Sequence, residues 1–185
     1  VDNPTVFGAL AFIKAERDND KGVYLGKHHD HIVSFNTRTI EFFYDAGTST
    51  TAGSNLARRT DVSHNIGCAS GLSVWENGDV TYFIGSNVSG QLAVYKLETF
   101  QVKQVSPDTM SAYLTEIVTQ DGYTVTLSGL SAMGSDTLIM TVYTLTGAPG
   151  TILPAVTFSF DTKSGLWGFW NTSLNSLTTL PLMAW

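Results

Sequence analysis

Between His64 and Val105 the chain carries four short runs rich in β-branched and aromatic residues, each bounded by turn residues. The runs are Ser70–Trp75, Val80–Gly85, Leu92–Leu97 and Gln101–Val105, and the separators include Glu76-Asn77-Gly78-Asp79 and Ser86–Gly90. Side chains of this type fit a pleated, half-buried surface, and the Gly-, Asn- and Asp-rich breaks reverse the chain, so the stretch predicts a four-stranded antiparallel meander. Asn77-Gly78 is expected to supply the positive-φ positions of a tight hairpin, which Gly and Asn adopt at little cost.

The same pattern is expected twice more. Val23–Leu25, Asp30–Phe35, Thr39–Tyr44 and Arg58–Val62 predict a first meander, with Arg58–Val62 on its outer edge and Ala46–Asn55 as a small-residue loop. Tyr123–Leu127, Leu138–Tyr143, Val156–Phe160 and Leu166–Trp170 predict a third, interrupted by a Gly/Pro-rich loop at Thr146–Pro154. Thr109–Val118 predicts a short helix, with Asp108 placed to cap it and Met110, Tyr113, Leu114 and Ile117 on one face. Phe43-Tyr44-Asp45, Val94-Tyr95-Lys96-Leu97 and Phe158–Trp167 repeat one theme, an aromatic strand end followed by a polar turn and another strand. The fold class is therefore all-β: propeller-like four-stranded antiparallel meanders, about three blades, with one short helix. Propellers typically have about 4–8 blades, so the chain is expected to be a single propeller-like domain over residues 1–185 that forms part of a larger propeller. Its start at Val1 instead of Met, an apolar run at Val6–Ile13 and an apolar tail at Leu174–Trp185 fit a piece of a longer chain whose ends need covering.

Sixteen acidic residues against ten Lys and Arg give a net charge of −6, and only 14 % of residues are charged. A phosphate-gripping nucleic-acid binder needs a basic stripe to release counterions, and this balance argues against one. A single cysteine, Cys68, excludes an intramolecular disulfide framework. No apolar run reaches the roughly 18 residues that a membrane-crossing helix requires.

Candidate chemistry is sparse. His28-His29-Asp30-His31 is the densest group of potential ligands, and His29 and His31, two apart on a strand, are expected to share a face. No further Cys or suitably spaced His completes a shell, so no metal is expected. Asp18-Asn19-Asp20 begins like a calcium loop, but Gly22 falls one position early and His29 stands where a bidentate Glu belongs. Cys68 with His64 would make a nucleophile and base, but the Ile66-Gly67-Cys68-Ala69 context reads as a small buried hydrophobe. Glu41, Asp45, Glu76, Asp79 and Asp161 are available as glycosidase carboxylates, yet most sit in turns or beside Gly. Arg58-Arg59 reads as edge-strand charge. Asn87-Val88-Ser89 and Asn171-Thr172-Ser173 match glycosylation acceptors, which matter only in a secreted eukaryotic protein. Trp75, Trp167 and Trp170 have the positions of core residues rather than of a glycan platform. No catalytic, cofactor-binding or metal-binding residue is expected.

The ordered set Ile32–Gly47, Ile66–Ser70, Tyr82–Ser86, Gly90 with Val94-Tyr95, Gln104-Val105-Ser106 before the helix, and Phe160–Trp167 resembles a family from short-tailed bacteriophages. These are the packaged-DNA stabilisation, or tail nozzle, head-completion proteins. The segment between Tyr123 and Phe158 departs from that pattern, with longer loops expected at Met133 and Gly147. The resemblance implies a non-enzymatic, propeller-bearing virion subunit, made in the host bacterial cytoplasm. It also implies assembly as a homo-oligomeric ring, a hexamer, below the portal and adaptor, where the ring continues the DNA channel and retains the genome. DNA would pass without specific binding, and no cofactor is implied. The alternative is a glycan-binding or glycan-cleaving propeller of a phage or bacterial surface protein, which would need exposed aromatics around two convergent carboxylates.

Overall fold

The computed structural model describes residues 20–47, 55–118, 123–132, 134–144 and 156–171. Three antiparallel sheets follow one another along the chain. The first is a plain meander of β1 (Gly22–His28), β2 (His31–Asn36), β3 (Ile40–Asp45) and β4 (Leu56–His64), paired in that order. The second contains β5 (Gly67–Cys68), β6 (Val74–Asn77), β7 (Val80–Ser86), β8 (Leu92–Glu98) and β9 (Gln101–Gln104). Here β7 pairs β8 along one edge, while β5 and β6 share its other edge. The third is a meander of β10 (Tyr123–Ala132), β11 (Ser135–Thr144), β12 (Val156–Asp161) and β13 (Trp167–Asn171). The recurring aromatic–turn–strand theme is the last hairpin of each sheet: β3–β4, β8–β9 and β12–β13.

Several local expectations are corrected. Ser70–Trp75 is not one strand: Ser70 Oγ accepts from the Leu72 amide and starts a 3₁₀ turn at Gly71–Ser73, and only then does β6 begin. Asn77 stays in β6, paired with Val80, and Gly78 alone takes positive φ (59°). One such residue at the first turn position suffices, because glycine there matches the twist of the flanking strands. Asp108 is the first residue of the helix α1 (Asp108–Val118) and not a cap before it, and its carboxylate faces Gln104 Nε2 at 3.4 Å. No long loop is left where one was expected, because β10 and β11 run on until Ala132 pairs Ser135, with Gly134 at φ 76°; Met133 itself lies outside the described residues. The Gly147 loop, the Val6–Ile13 run and the Leu174–Trp185 tail lie outside the described residues.

The sheets pack face to face, and the second lies in the middle. Its side chains alternate between two cores, as a strand period of two requires. Phe83, Ala93, Tyr95 and Leu97 meet Val33, Phe35, Ile40 and Phe42 of the first sheet, together with Cys68. Tyr82, Ile84, Leu92 and Val94 meet α1 through Met110 and Leu114, and meet the third sheet through Leu127, Leu138, Met140, Phe160 and Trp167. Tyr113 and Ile117 pack against that second core, which confirms the predicted helix face. Burial of both faces explains why Thr81–Gly85 and Leu92–Tyr95 are buried without a break.

Candidate functional site

The joint between the first and second sheets collects most of the sequence's polar candidates. Glu76 in β6 accepts hydrogen bonds from Tyr24 Oη at 3.2 Å and the Lys27 amide at 3.3 Å. It therefore ties β6 to β1. Asp79, at the β6–β7 tip, approaches His29 Nδ1 at 3.5 Å. Gly67 lies so close to the Thr37 carbonyl that a Cβ would sit 1.9 Å from the oxygen.

His29 and His31 do not share a strand face. The chain turns at His29-Asp30, His29 has φ 51°, and the cross-strand pair that closes the hairpin is His28 with His31. The backbone reversal moves His29 off the strand, which removes the period-two argument for it. All four histidines nevertheless converge on Phe100, in the turn between β8 and β9. The ring centroids of His28, His29 and His31 lie 5.4, 5.7 and 4.8 Å from that of Phe100, and His64 Nε2 is 2.9 Å from the Phe100 carbonyl oxygen. Phe42 stands 5.3 Å away, and the Arg59 guanidinium lies 4.4 Å over the ring. Sequence reasoning missed Phe100 because no local pattern links it to residues about seventy positions earlier. Among the described residues, no group of three or more His, Cys, Asp or Glu is arranged to hold a metal ion.

The remaining candidates are held apart. Asp18 and Asn19 lie outside the described residues. Asp20 receives hydrogen bonds from Thr37 Oγ1, the Arg38 amide at 2.9 Å and Thr39 Oγ1 at 3.0 Å. Burial pushes its carboxyl up, but these donors outweigh burial and hold it below the usual carboxylate range. Asp20 thus braces the β2–β3 turn. Cys68 is buried and its Sγ points to the Ser70 carbonyl at 3.4 Å, whereas His64 is engaged at Phe100. Burial pushes the Cys68 thiol up, away from the thiolate a nucleophile needs.

Each candidate carboxylate serves its own neighbourhood. Glu41, 1 % exposed, pairs with Arg58 at 3.3 Å across β3 and β4. Asp45 Oδ1 accepts from the Gly47 amide at 2.8 Å. Asp161 accepts from the Lys163 amide, Ser164 Oγ and Ser135 Oγ, which keep its carboxyl low and fix the β12–β13 turn. Asn87 likewise orders the β7–β8 turn, taking the Ser89 and Gln91 amides, both at 3.0 Å. Asn171 ends β13. Arg58 and Arg59 sit on the edge strand β4, as expected, with Arg59 also paired to Asp61 at 3.0 Å.

The tryptophans belong to the second joint. Trp167 is buried and donates from Nε1 to the Val105 carbonyl at 2.9 Å. Trp75 stacks on Tyr82 at 5.5 Å and covers Gly129, where a Cβ would meet the indole at 1.9 Å. The Trp170 side chain lies outside the described residues. Between the second and third sheets, Lys96, Lys103 and Lys163 line a cleft of about 370 Å³, with Lys96 paired to Glu98 at 2.7 Å. Leu25, Leu72, Val88, Leu130 and Leu166 are exposed apolar side chains, several of them at or near turns. Among the described residues, no helix is long and apolar enough to cross a membrane.

The polar groups named above are spent on turns and joints. Residues 1–178 match the family model described as bacteriophage P22 Gp10, β-propeller. A comparison with curated proteins finds no match.

Proposed function

Because the chain belongs to the phage-stabilisation β-propeller family described by bacteriophage P22 Gp10, we propose that this structural phage protein works by assembly into a ring in the tail. The ring, a hexamer, continues the DNA channel below the portal and adaptor, retains packaged DNA and lets it pass on ejection. The protein is made in the host bacterial cytoplasm and acts in the virion. The family match across residues 1–178 is the observation that carries this reading.

The three face-packed sheets support it as consecutive blades of a propeller, with further blades required for closure because a ring takes about four or more. Blades present their turns outward, and exposed apolar side chains such as Leu72, Val88 and Leu166 offer modest contacts that ring symmetry would repeat. A net charge of −6 disfavours capture of sliding DNA, since phosphate binding draws its strength from neutralising cations. A glycan-cleaving propeller would need two carboxylates facing one substrate. Here Glu41, Glu76 and Asp161 are each engaged by a different partner.

Imaging the full-length chain in particles tests the reading. A ring coaxial with the DNA passage is expected. Peripheral fibres, or glycan release by the purified protein, would overturn it.

A further inference from the structure

Thr99 and Phe100 form the two-residue turn between β8 and β9, and both have positive φ, 48° and 62°. Hairpin turns of this kind favour Asn-Gly, and a β-branched residue in the left-handed region is unusual. Residues held there cost on the order of 1–3 kcal/mol each and persist only where their surroundings enforce the conformation. The enforcing contacts are those of the Phe100 ring: His28 and His31 edge-on, Phe42 beside them, and Arg59 over the face.

His28 is the unusual member. It is 1 % exposed, and among the described residues neither ring nitrogen has a hydrogen-bond partner. Nδ1 of His31 also lacks one. Neutral imidazole tolerates this setting as a flat, weakly polar ring, but imidazolium carries two N–H donors and a charge that the pocket does not accept. The charges around it give little net relief. From its own hairpin come His29, 4.4 Å away, and His31; from β4 come Arg59 and His64. The acidic groups stand on the solvent side: Asp30 is exposed and Asp61 is held by Arg59, while Asp79, paired with His29 at 3.5 Å, favours the His28 cation but is outweighed by burial and by His29.

We propose that the packing of His28 against Phe100 is a pH-sensitive clasp, in which neutral His28 holds the β8–β9 turn on the first sheet and protonation releases it. Release frees the strained turn and loosens the first joint, while the second joint stays closed. Burial pushes both His28 and His31 below the ordinary 6.5, which agrees with the open form being the one that takes up the proton. The closed form is therefore fully favoured above the ordinary value and loses favour as pH falls below it.

The test is amide exchange and histidine-ring NMR on the whole chain, compared between about pH 7.5 and about pH 5.5, across the range where histidine switches. Exchange at Glu98 and Gln101, the pair that closes this hairpin, corrected for its intrinsic pH dependence, is expected to speed up by about tenfold or more at the lower pH. Amides of the third sheet should keep their protection, and the Phe100 ring signals should move with the His28 titration. His28→Leu keeps an apolar filler and should abolish the pH response. If that variant does not fold, the wild-type ring titration decides alone. Protonation of His28 without movement of Phe100, equal opening of the third sheet, or an unchanged response in His28→Leu would each overturn the clasp.

Discussion

On one face of the second sheet, Phe83, Tyr95 and Leu97 meet the first sheet across a joint edged by four histidines, Arg59 and Glu76. On the other, Ile84 and Val94 meet methionine, leucine and valine from α1 and the third sheet. One strand pair, β7 and β8, supplies both faces. The first joint relies on aromatic edges, one backbone-to-backbone approach at Gly67 and polar ties that depend on protonation state. The second combines aliphatic volume with the rings of Tyr82, Phe160 and Trp167, and its titratable member, Tyr82, is pushed above its ordinary value of 10.0 by burial, far from neutral pH. Burial alone does not make two interfaces equivalent: aliphatic packing resists changes in solution conditions, and imidazole packing responds to them.

The largest expected break is in the second joint. Leu114 is fully buried, and Leu114→Ala should cost about 2–5 kcal/mol through lost transfer energy and the cavity left behind. Urea unfolding should show that loss equally at neutral and mildly acidic pH; a strongly pH-dependent loss would erase the contrast between the joints. Gly67→Ala strikes the first joint, where the added methyl meets the Thr37 carbonyl and backbone cannot swing aside. Overpacking of this kind costs about 1–3 kcal/mol, and denaturant midpoints would register it. An unchanged midpoint would mean that the first joint is looser than its geometry. A smaller effect is expected from acid itself. His28 and His31 are both held below 6.5 by burial, so the unfolded chain binds more protons there and stability falls as pH drops below that value. Thermal melts of wild type and His28→Leu should diverge in that range and agree above it. Smallest is Tyr24→Phe, which removes only the hydroxyl bonded to Glu76, a loss of about 1 kcal/mol or less by equilibrium unfolding.

Much of the architecture was legible in the residues. The three meanders, the helix and its buried face follow from β-branched runs, turn residues and a 3.6-residue period. Other features hinge on information that is not local. Thr99-Phe100 contains neither Gly nor Asn, so nothing nearby announces a left-handed turn; its conformation is imposed by partners in β1, β2 and β4. His29 and His31 look like a strand pair until the reversal falls between them. In β4, the register jumps from Ser63 opposite Glu41 to Arg58 opposite Phe43, and this irregularity, which accompanies Arg59's placement over Phe100, has no signature in composition. The family to which the chain belongs, whose match spans residues 1–178, was legible in the ordered segments from Ile32 to Trp167.

The Thr99-Phe100 turn also bears on the order of folding. A turn that is unfavourable by itself cannot nucleate its own hairpin, whereas the β6–β7 turn, with Gly78 in the positive-φ position, can form within microseconds of collapse. The Phe100 ring contacts of His28, His31, Phe42 and Arg59 all lie on a sheet whose strands come earlier in the chain. During synthesis those strands emerge from the ribosome first, so the template exists before the segment that needs it. We therefore expect Phe100→Ala mainly to speed unfolding and Gly78→Ala mainly to slow refolding in stopped-flow experiments. The reverse pattern would show that β8 and β9 close before the first sheet is in place. In the expected pattern, vectorial synthesis supplies, as timing, what the local sequence of this turn lacks.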